Sequence, residues 1–308
     1  MQAYDNTSQQ VGANYDDRKP DESQMSVAMR IRLGHSPDAD DAFMFYGLAC
    51  GRIETGRYEI EQVLRDIQTL NEWALQARLE VTAISIHAYP YVQDCYLLLD
   101  CGASMGQGYG PVVVARRSMP LADLAGATVA VPGTMTTAFL VLSLLLGKDG
   151  FKYRVMPFDA ILPAVAAGQA EAGLIIHEGQ LTYQDDKLVK LIDLGQWWAQ
   201  QTHLPLPLGG NVIRRDLGRE AIAELAGLLR GSIVFSLEHR REAIDHALQY
   251  ARGMDRDLAE RFVGMYVNRW TLSYGQPGRQ AVAELLDRAH RAGITPRPAR
   301  LEFAEPAS

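Results

Sequence analysis

The chain has 308 residues, which is enough for one large domain or two of ordinary size. Its composition is 47% hydrophobic and 22% charged, which is ordinary for a globular protein. A net charge of −7 offers no basic field for nucleic acid or for an anionic lipid surface, so we expect neither nucleic acid nor a membrane as a partner. No stretch approaches the roughly 18 consecutive apolar residues of a membrane-spanning helix.

Residues 1–28 are polar and predict a disordered N-terminal tail, because they carry too little apolar surface to offset chain entropy. They lack the basic and then apolar segments of a secretory signal, so the default location is the cytoplasm. The three cysteines, Cys50, Cys95 and Cys101, lack C-x-x-C spacing and are predicted to be free thiols in a reduced compartment.

The first ordered strand is predicted to begin near Met29 and to run into a helix at the segment 36–41. Ser36 therefore lies at a strand-to-helix switch, where it would either contact a ligand or cap the helix. The carboxylates of this segment lack the ligand series of an EF-hand loop, so we predict no metal site.

Two later segments supply further candidates for ligand contact. Ser85 lies near the end of a short strand, and the neighbouring His87 is expected to be a packing histidine. Thr136 and Thr137 follow a predicted strand and a glycine turn, and they precede an apolar helix. Backbone N–H groups at a helix start, together with two hydroxyls, can hold a carboxylate or a phosphate. The alternative is a helix that is simply capped by threonine.

The segment 173–179 has the sequence Gly-Leu-Ile-Ile-His-Glu-Gly and reads as a short buried strand that ends at His177. In an α/β protein, side chains enter a ligand crevice at strand ends. From the residues alone, His177 is a core histidine, a binding contact or a catalytic base. Glu178 is expected to be solvated. From residue 217 to residue 293 the pattern is mainly helical, with a β-like stretch at 268–273, and the tail 297–308 is weakly specified.

Strands and helices alternate as far as about residue 195, which predicts α/β architecture with mostly parallel sheets. Two Gly-rich extended segments, 106–115 and 205–214, bracket a compact middle unit. This arrangement predicts two lobes joined by a hinge, with the ligand site in the cleft between them.

The first predicted lobe comprises residues 29–113 together with 210–296, and the second comprises residues 114–209. Ser36 and Ser85 would face the cleft from the first lobe. The two threonines and the histidine would face it from the second lobe.

Several motifs, in this order, resemble the 1,4-dihydroxy-6-naphthoate synthase family over roughly residues 29–295. The motifs are Ser36-Pro-x-x-x-Asp41-x-Phe-x-Phe-Tyr, Gly108-Tyr-Gly-Pro111, Pro132-Gly-x-x-Thr136-Thr137-Ala138, Gly173-Leu-Ile-Ile-His177-Glu178, Pro207-Leu-Gly209 and Tyr266-Val-Asn268. They are specific in combination rather than singly. One departure lies in the first motif, which often reads Ser-Pro-Cys-Pro-Asn-Asp and here carries two added carboxylates, Asp38 and Asp40.

The resemblance implies a two-lobe, type II periplasmic-binding-protein-like fold. It also implies a lyase of the futalosine route to menaquinone, which converts cyclic dehypoxanthine futalosine to 1,4-dihydroxy-6-naphthoate without metal or organic cofactor. By position, His177 matches a catalytic base or nucleophile. Thr136, Thr137 and the backbone of Ala138 match the site of the substrate carboxylate, and Ser36 and Ser85 match cleft contacts.

Two rival interpretations remain open at this stage. The fold also serves non-catalytic binding of a small carboxylate, and the related chorismate dehydratase shares the fold with a different site. We expect a small-molecule carboxylate as the partner and leave a homodimer open.

Overall fold

A computed structural model of the chain describes residues 28–250 and 254–306, so the predicted disordered tail lies outside the described residues apart from its last position. Twelve strands are present in this part of the chain: β1 Met29–His35, β2 Tyr58–Leu64, β3 Val81–Ser85, β4 Tyr96–Leu99, β5 Ser104–Gly106, β6 Val112–Ala115, β7 Thr128–Val131, β8 Lys152–Val155, β9 Ala172–Ile175, β10 Val189–Asp193, β11 Leu206–Arg214 and β12 Phe303–Ala304.

Helices cover the sheets that these strands form. In the described ranges they are α1 Ala39–Met44, α2 Tyr46–Ala49, α3 Ile67–Ala74, α4 Tyr89–Val92, α5 Thr137–Leu146, α6 Ile161–Ala166, α7 Gly179–Thr182, α8 Leu194–Thr202, α9 Arg219–Glu238, α10 Arg240–Ala247, α11 Arg256–Tyr266, α12 Arg269–Leu272 and α13 Gly275–Arg291. None of the helices in this part of the chain is long and apolar enough to cross a membrane.

The strands form two separate sheets, and each sheet is the centre of one lobe. The first has the order β12-β4-β11-β3-β1-β2, with β5 also paired to β11, and the second has the order β10-β6-β9-β7-β8. The neighbours of β1 and β7 are parallel, whereas β11 and β6 run antiparallel to β3 and β9. The prediction of mostly parallel sheets is therefore wrong, because the strands beside the two crossings return the chain in the opposite direction.

The chain crosses between the sheets after β5 and again after α8. The predicted lobe boundaries, at 113/114 and 209/210, both fall inside strands, because β6 begins at residue 112 and β11 begins at residue 206. The predicted C-terminal tail also contains part of the first sheet, since β12 pairs in parallel with β4. The β-like stretch 268–273 is instead α12, whose start is capped by the side chain of Asn268.

Helix α5 shows how local sequence and burial combine near the cleft. Its sequence is almost entirely apolar, and its first seven residues are buried, as expected for a helix that packs between the two lobes. The helix begins where the hydroxyl oxygen of Thr136 accepts a hydrogen bond from the Phe139 N–H at 3.2 Å.

Two helical glycines give a matched test of how closely α8 packs against the first crossing between the lobes. A methyl group on Gly195 in α8 would lie 2.0 Å from the Tyr109 carbonyl in the first crossing, whereas one on Gly227 in α9 would meet nothing within 4 Å. We expect Gly195→Ala to lower the free energy of unfolding by about 1–3 kcal/mol through overpacking. Gly227→Ala should raise it by about 0.5–1 kcal/mol. Urea unfolding of both variants checks this, and equal effects would contradict the close approach of α8 to the first crossing.

Candidate active site

A cavity lies between the two lobes and is lined from both sides. It brings together five of the six residues predicted to form the site: Ser36, Ser85, Thr136, Thr137 and Ala138. The sixth, His177, does not line the cavity, although its neighbour Ile176 does. Further polar residues on the wall are Asp38, Asp40, Asp41, Ser104, Asn211 and Tyr266.

Thr137 joins the second lobe to the first at the start of α5. Its hydroxyl donates to the Leu208 carbonyl at 2.6 Å and accepts from the His87 N–H at 3.1 Å. Leu208 lies at a register shift in the pairing of β11 with β5, so its carbonyl is available outside the regular ladder. The threonine hydroxyl is therefore committed to holding the lobes together.

The backbone at the start of α5 is the part of this segment suited to an anion. Thr137 and Ala138 are the first two residues of the helix, and N–H groups at such positions have no partner within the helix. The hydroxyl of Thr136 donates to the Gly133 carbonyl at 2.9 Å while it caps the helix. Thr136 is thus a helix cap, and Thr136, Thr137 and Ala138 all line the cavity, while binding of an anion at this helix start stays a prediction.

Ser85 is held at the end of β3 by an amide that the sequence did not single out. The Asn71 Oδ1 atom accepts from the Ser85 N–H at 2.8 Å, and the Asn71 Nδ2 atom donates to the Ser85 hydroxyl oxygen at 3.0 Å. Nδ2 also lies 3.4 Å from the Met135 carbonyl in the second lobe. Because the serine oxygen accepts from Asn71, its own proton is free to point toward a ligand.

Ser36 stands beside a group of three carboxylates. Its N–H donates to Asp41 Oδ2 at 2.8 Å, and its hydroxyl donates to Asp38 Oδ2 at 3.0 Å. The residue that precedes α1 is Asp38, so Ser36 is not the helix cap. Ser36 therefore lies on the cavity wall, where it organises the acidic turn.

Asp40 and Asp41 differ from ordinary surface carboxylates. Burial, together with the nearby charges of Asp41 and Asp38, holds the pKa of Asp40 well above its usual range. Burial also raises the pKa of Asp41, although the neighbouring charge of His35 and the hydrogen bonds from Ser36 oppose the effect. The acidic turn consequently favours a proton on Asp40.

His177 occupies a buried position behind the cavity wall, with only 7% of its surface exposed. Its Nε2 atom lies 3.1 Å from the Phe158 carbonyl, and its Nδ1 atom accepts from the Gly179 N–H at 3.0 Å. A carbonyl only accepts, so Nε2 carries the proton and the imidazole is neutral. Glu178 is not solvated as expected, since its side chain is 14% exposed and its Oε2 atom lies 3.6 Å from Nδ1.

A second inter-lobe contact lies beside His177. The Tyr266 hydroxyl, on α11, donates to Gln180 Oε1, on α7, at 2.7 Å. Burial raises the pKa of Tyr266, so the phenol stays protonated and remains a donor. Because α7 follows His177 directly, this bond ties the histidine loop to the first lobe.

Three residues at the site were given no role by the sequence analysis: Asn211 and Tyr266, which line the cavity, and Asn71, which holds Ser85. Each lies on a regular helix or strand, and its partner is distant in the sequence. The Tyr266-Val-Asn268 motif was the one available signal for Tyr266. No local pattern marks Asn71 or Asn211.

The fold is shared with solved structures of both low and high sequence identity. An alkanesulfonate-binding protein from Xanthomonas axonopodis pv. citri, bound to MOPS, is 15% identical, with a TM-score of 0.65 over 87% of this chain and 94% of that chain. A crystal structure of a protein from Archaeoglobus fulgidus is 48% identical, with a TM-score of 0.83 over 86% of this chain and 98% of that one. The molecule is thus a two-lobe α/β protein of the type II periplasmic-binding-protein-like class.

Sequence comparison identifies the family within this structural class. The model of the family described as "Menaquinone biosynthesis" matches residues 31–291. A curated relative from Thermus thermophilus, named 1,4-dihydroxy-6-naphthoate synthase, is 45% identical over 87% of this chain and 98% of its own length. The chain belongs to this menaquinone-biosynthesis family, and it is an enzyme.

His87 supplies a pH-dependent test of the lobe contact. It is 2% exposed, its Nδ1 atom lies 3.3 Å from the Thr136 carbonyl, and burial lowers its pKa to about 4. The unfolded chain, with an ordinary histidine, takes up the proton at a higher pH, so stability falls on acidification between about pH 6.5 and pH 4.

We expect the His87 contribution to the free energy of unfolding to fall by about 2 kcal/mol from pH 7 to pH 4.5. The measurement is urea unfolding of the wild type and of His87→Asn, whose amide nitrogen can replace Nδ1, at both pH values. Carboxylates titrate in both proteins, so the difference between them isolates the histidine. An equal loss in the two proteins would contradict a neutral, buried His87.

Proposed function

We propose that the enzyme converts cyclic dehypoxanthine futalosine to 1,4-dihydroxy-6-naphthoate. The observation that carries the proposal is the start of α5, which faces an inter-lobe cleft in a chain 45% identical to a relative named for this product. A naphthoate product carries one carboxylate, and the start of α5 in the cleft offers N–H groups for it. We include a small-molecule carboxylate as the partner in this proposal.

The carboxylate would be bound by the N–H groups of Thr137 and Ala138. These groups lie at the positive end of the α5 dipole, which favours a negative charge there. The opposite wall carries Asp38, Asp40 and Asp41 and would repel an anion. The two walls together give the substrate one orientation in the cleft.

His177 is our candidate for the base or nucleophile. Opening a carbocycle beside a ketone requires the removal of a hydroxyl proton and stabilisation of the developing enolate. A neutral imidazole can accept such a proton, and donors around the cleft can stabilise the enolate. The tautomer with a proton on Nε2 leaves Nδ1 as the basic atom.

In the present arrangement the Nδ1 lone pair accepts from the Gly179 N–H, so the ring must turn before it reaches a substrate. The ring sits at the junction of β9 and α7, and α7 is held to the first lobe through the bond between Tyr266 and Gln180. We propose that substrate binding changes this junction and presents Nδ1 to the cleft.

The location of the enzyme is part of the same proposal. The three cysteines are free thiols, with Cys101 buried and the other two exposed. Unpaired thiols suit a reducing compartment, and on this basis we propose the cytoplasm.

The direct test is incubation of the purified wild type with cyclic dehypoxanthine futalosine, followed by chromatographic detection of 1,4-dihydroxy-6-naphthoate. We expect product in proportion to enzyme. Substrate that binds but is recovered unchanged would instead favour the non-catalytic binding protein, and the synthase proposal would fail.

His177→Ala tests the base. Loss of a general base typically lowers turnover by about 10²–10⁴-fold, and we expect a fall in kcat of that order. The matched control is His239→Ala, because His239 is exposed at the end of α9 and away from the cavity. If His177→Ala turns over as fast as this control, the assignment of the base is wrong.

A further inference from the structure

Asn211 carries a buried polar atom without a partner in the cleft. The residue is 1% exposed, lies on β11 and lines the cavity. Its Nδ2 atom donates to the Gly102 carbonyl at 3.0 Å, and since a carbonyl only accepts, this bond fixes the orientation of the amide. Its Oδ1 atom has no hydrogen-bond partner among the residues that the structure describes. A buried acceptor that lines the cavity in this state can accept a hydrogen bond from a donor on a ligand.

Asp40 contacts a side chain from the same segment of the chain as Gly102. Its Oδ2 atom lies 3.5 Å from the Ser104 hydroxyl, two residues beyond Gly102. Gly102 has a φ of +76°, and a methyl group there would lie 2.2 Å from Asn211 Nδ2, so the close approach of the amide depends on glycine. The segment 102–104 therefore places the Asp40 carboxyl and the Asn211 amide on one wall of the cavity.

The charges that face Asp40 favour its neutral form. Asp38 and Asp41 flank it on the same turn, His35 adjoins Asp41, and the phenol of Tyr266 faces it from α11. Burial and the two carboxylates raise the pKa of Asp40 well above its usual range. A neutral carboxyl donates one hydrogen bond and accepts others, as a hydroxyl ligand requires.

We propose that Asp40 and Asn211 form a hydroxyl-binding subsite for the sugar-derived part of the substrate, with Asn211 Oδ1 accepting from one hydroxyl and the Asp40 carboxyl donating to another. This assignment rests on the proposed function. The substrate carboxylate is excluded from this wall by its acidic groups and is placed at α5. The polyhydroxylated end of the same molecule then faces Asp40 and Asn211.

The test measures affinity rather than turnover, so it does not depend on catalysis. Calorimetry in the His177→Ala background compares two probes, cyclic dehypoxanthine futalosine and naphthalene-2-carboxylate, which has the aromatic acid without hydroxyl groups. We expect Asn211→Ala and Asp40→Ala each to weaken binding of the first probe by about 2- to 10-fold, the equivalent of one neutral hydrogen bond. Binding of the second probe should not change, which shows that each variant is folded.

Asp40→Asn separates a donating carboxyl from an ionised one. Its amide donates without titrating, so we expect substrate affinity within about twofold of the parent at the acidic end of a pH series. As the pH rises through the pKa of Asp40, the parent loses the donor and gains a charge, and its affinity should fall while that of Asp40→Asn stays level. A large loss of affinity in Asp40→Asn at the acidic end of the series would overturn the role of Asp40 as a donor.

Other outcomes of these experiments would reject the subsite, the proposed function or both. If both probes weaken equally, or if neither responds to the Ala variants, the subsite is wrong even where the wild type makes naphthoate. If the wild type makes no naphthoate, the proposed function fails, and the selective loss of affinity for the hydroxylated probe still decides the subsite. If the hydroxylated probe binds neither the His177→Ala parent nor the wild type, both proposals are wrong.

Discussion

The hydrogen bond from the Thr137 hydroxyl to the Leu208 carbonyl is the contact on which the cleft depends. It joins the first residue of α5 to the strand that carries the chain back into the first lobe. The irregular pairing of β11 with β5 frees that carbonyl, and the His87 N–H completes the contact from β3's side. Because the bond holds the first residue of α5 against the first lobe, it also positions the N–H groups of the proposed carboxylate site.

The two ends of the cleft have opposite electrostatic character. The α5 end offers backbone donors and the positive end of a helix dipole. The other end carries an acidic turn in which burial favours a proton on Asp40. A substrate with a carboxylate at one end and neutral hydroxyls at the other suits both walls. The contact between Tyr266 and Gln180 links this acidic end to the loop of His177, so that occupancy of one wall can influence the other.

The sequence predicted the parts of this site that depend on local pattern. Strand ends marked Ser36 and Ser85, and the turn before an apolar helix marked Thr136 and Thr137. These signals are local because caps and strand ends are set by neighbouring residues. The amide of Asn211 could not be predicted, since its partner Gly102 lies 109 positions away. The sequence singled out His177 but left open whether it lies in the core or in the cleft, because its burial depends on Phe158, which reaches it from another element.

A crystal structure with 1,4-dihydroxy-6-naphthoate bound tests the central claim most directly. The account predicts the carboxylate at about 3 Å from the N–H groups of Thr137 and Ala138, with the Thr137 hydroxyl still bonded to Leu208. A carboxylate turned toward Asp40, or product bound outside the inter-lobe cleft, would contradict it.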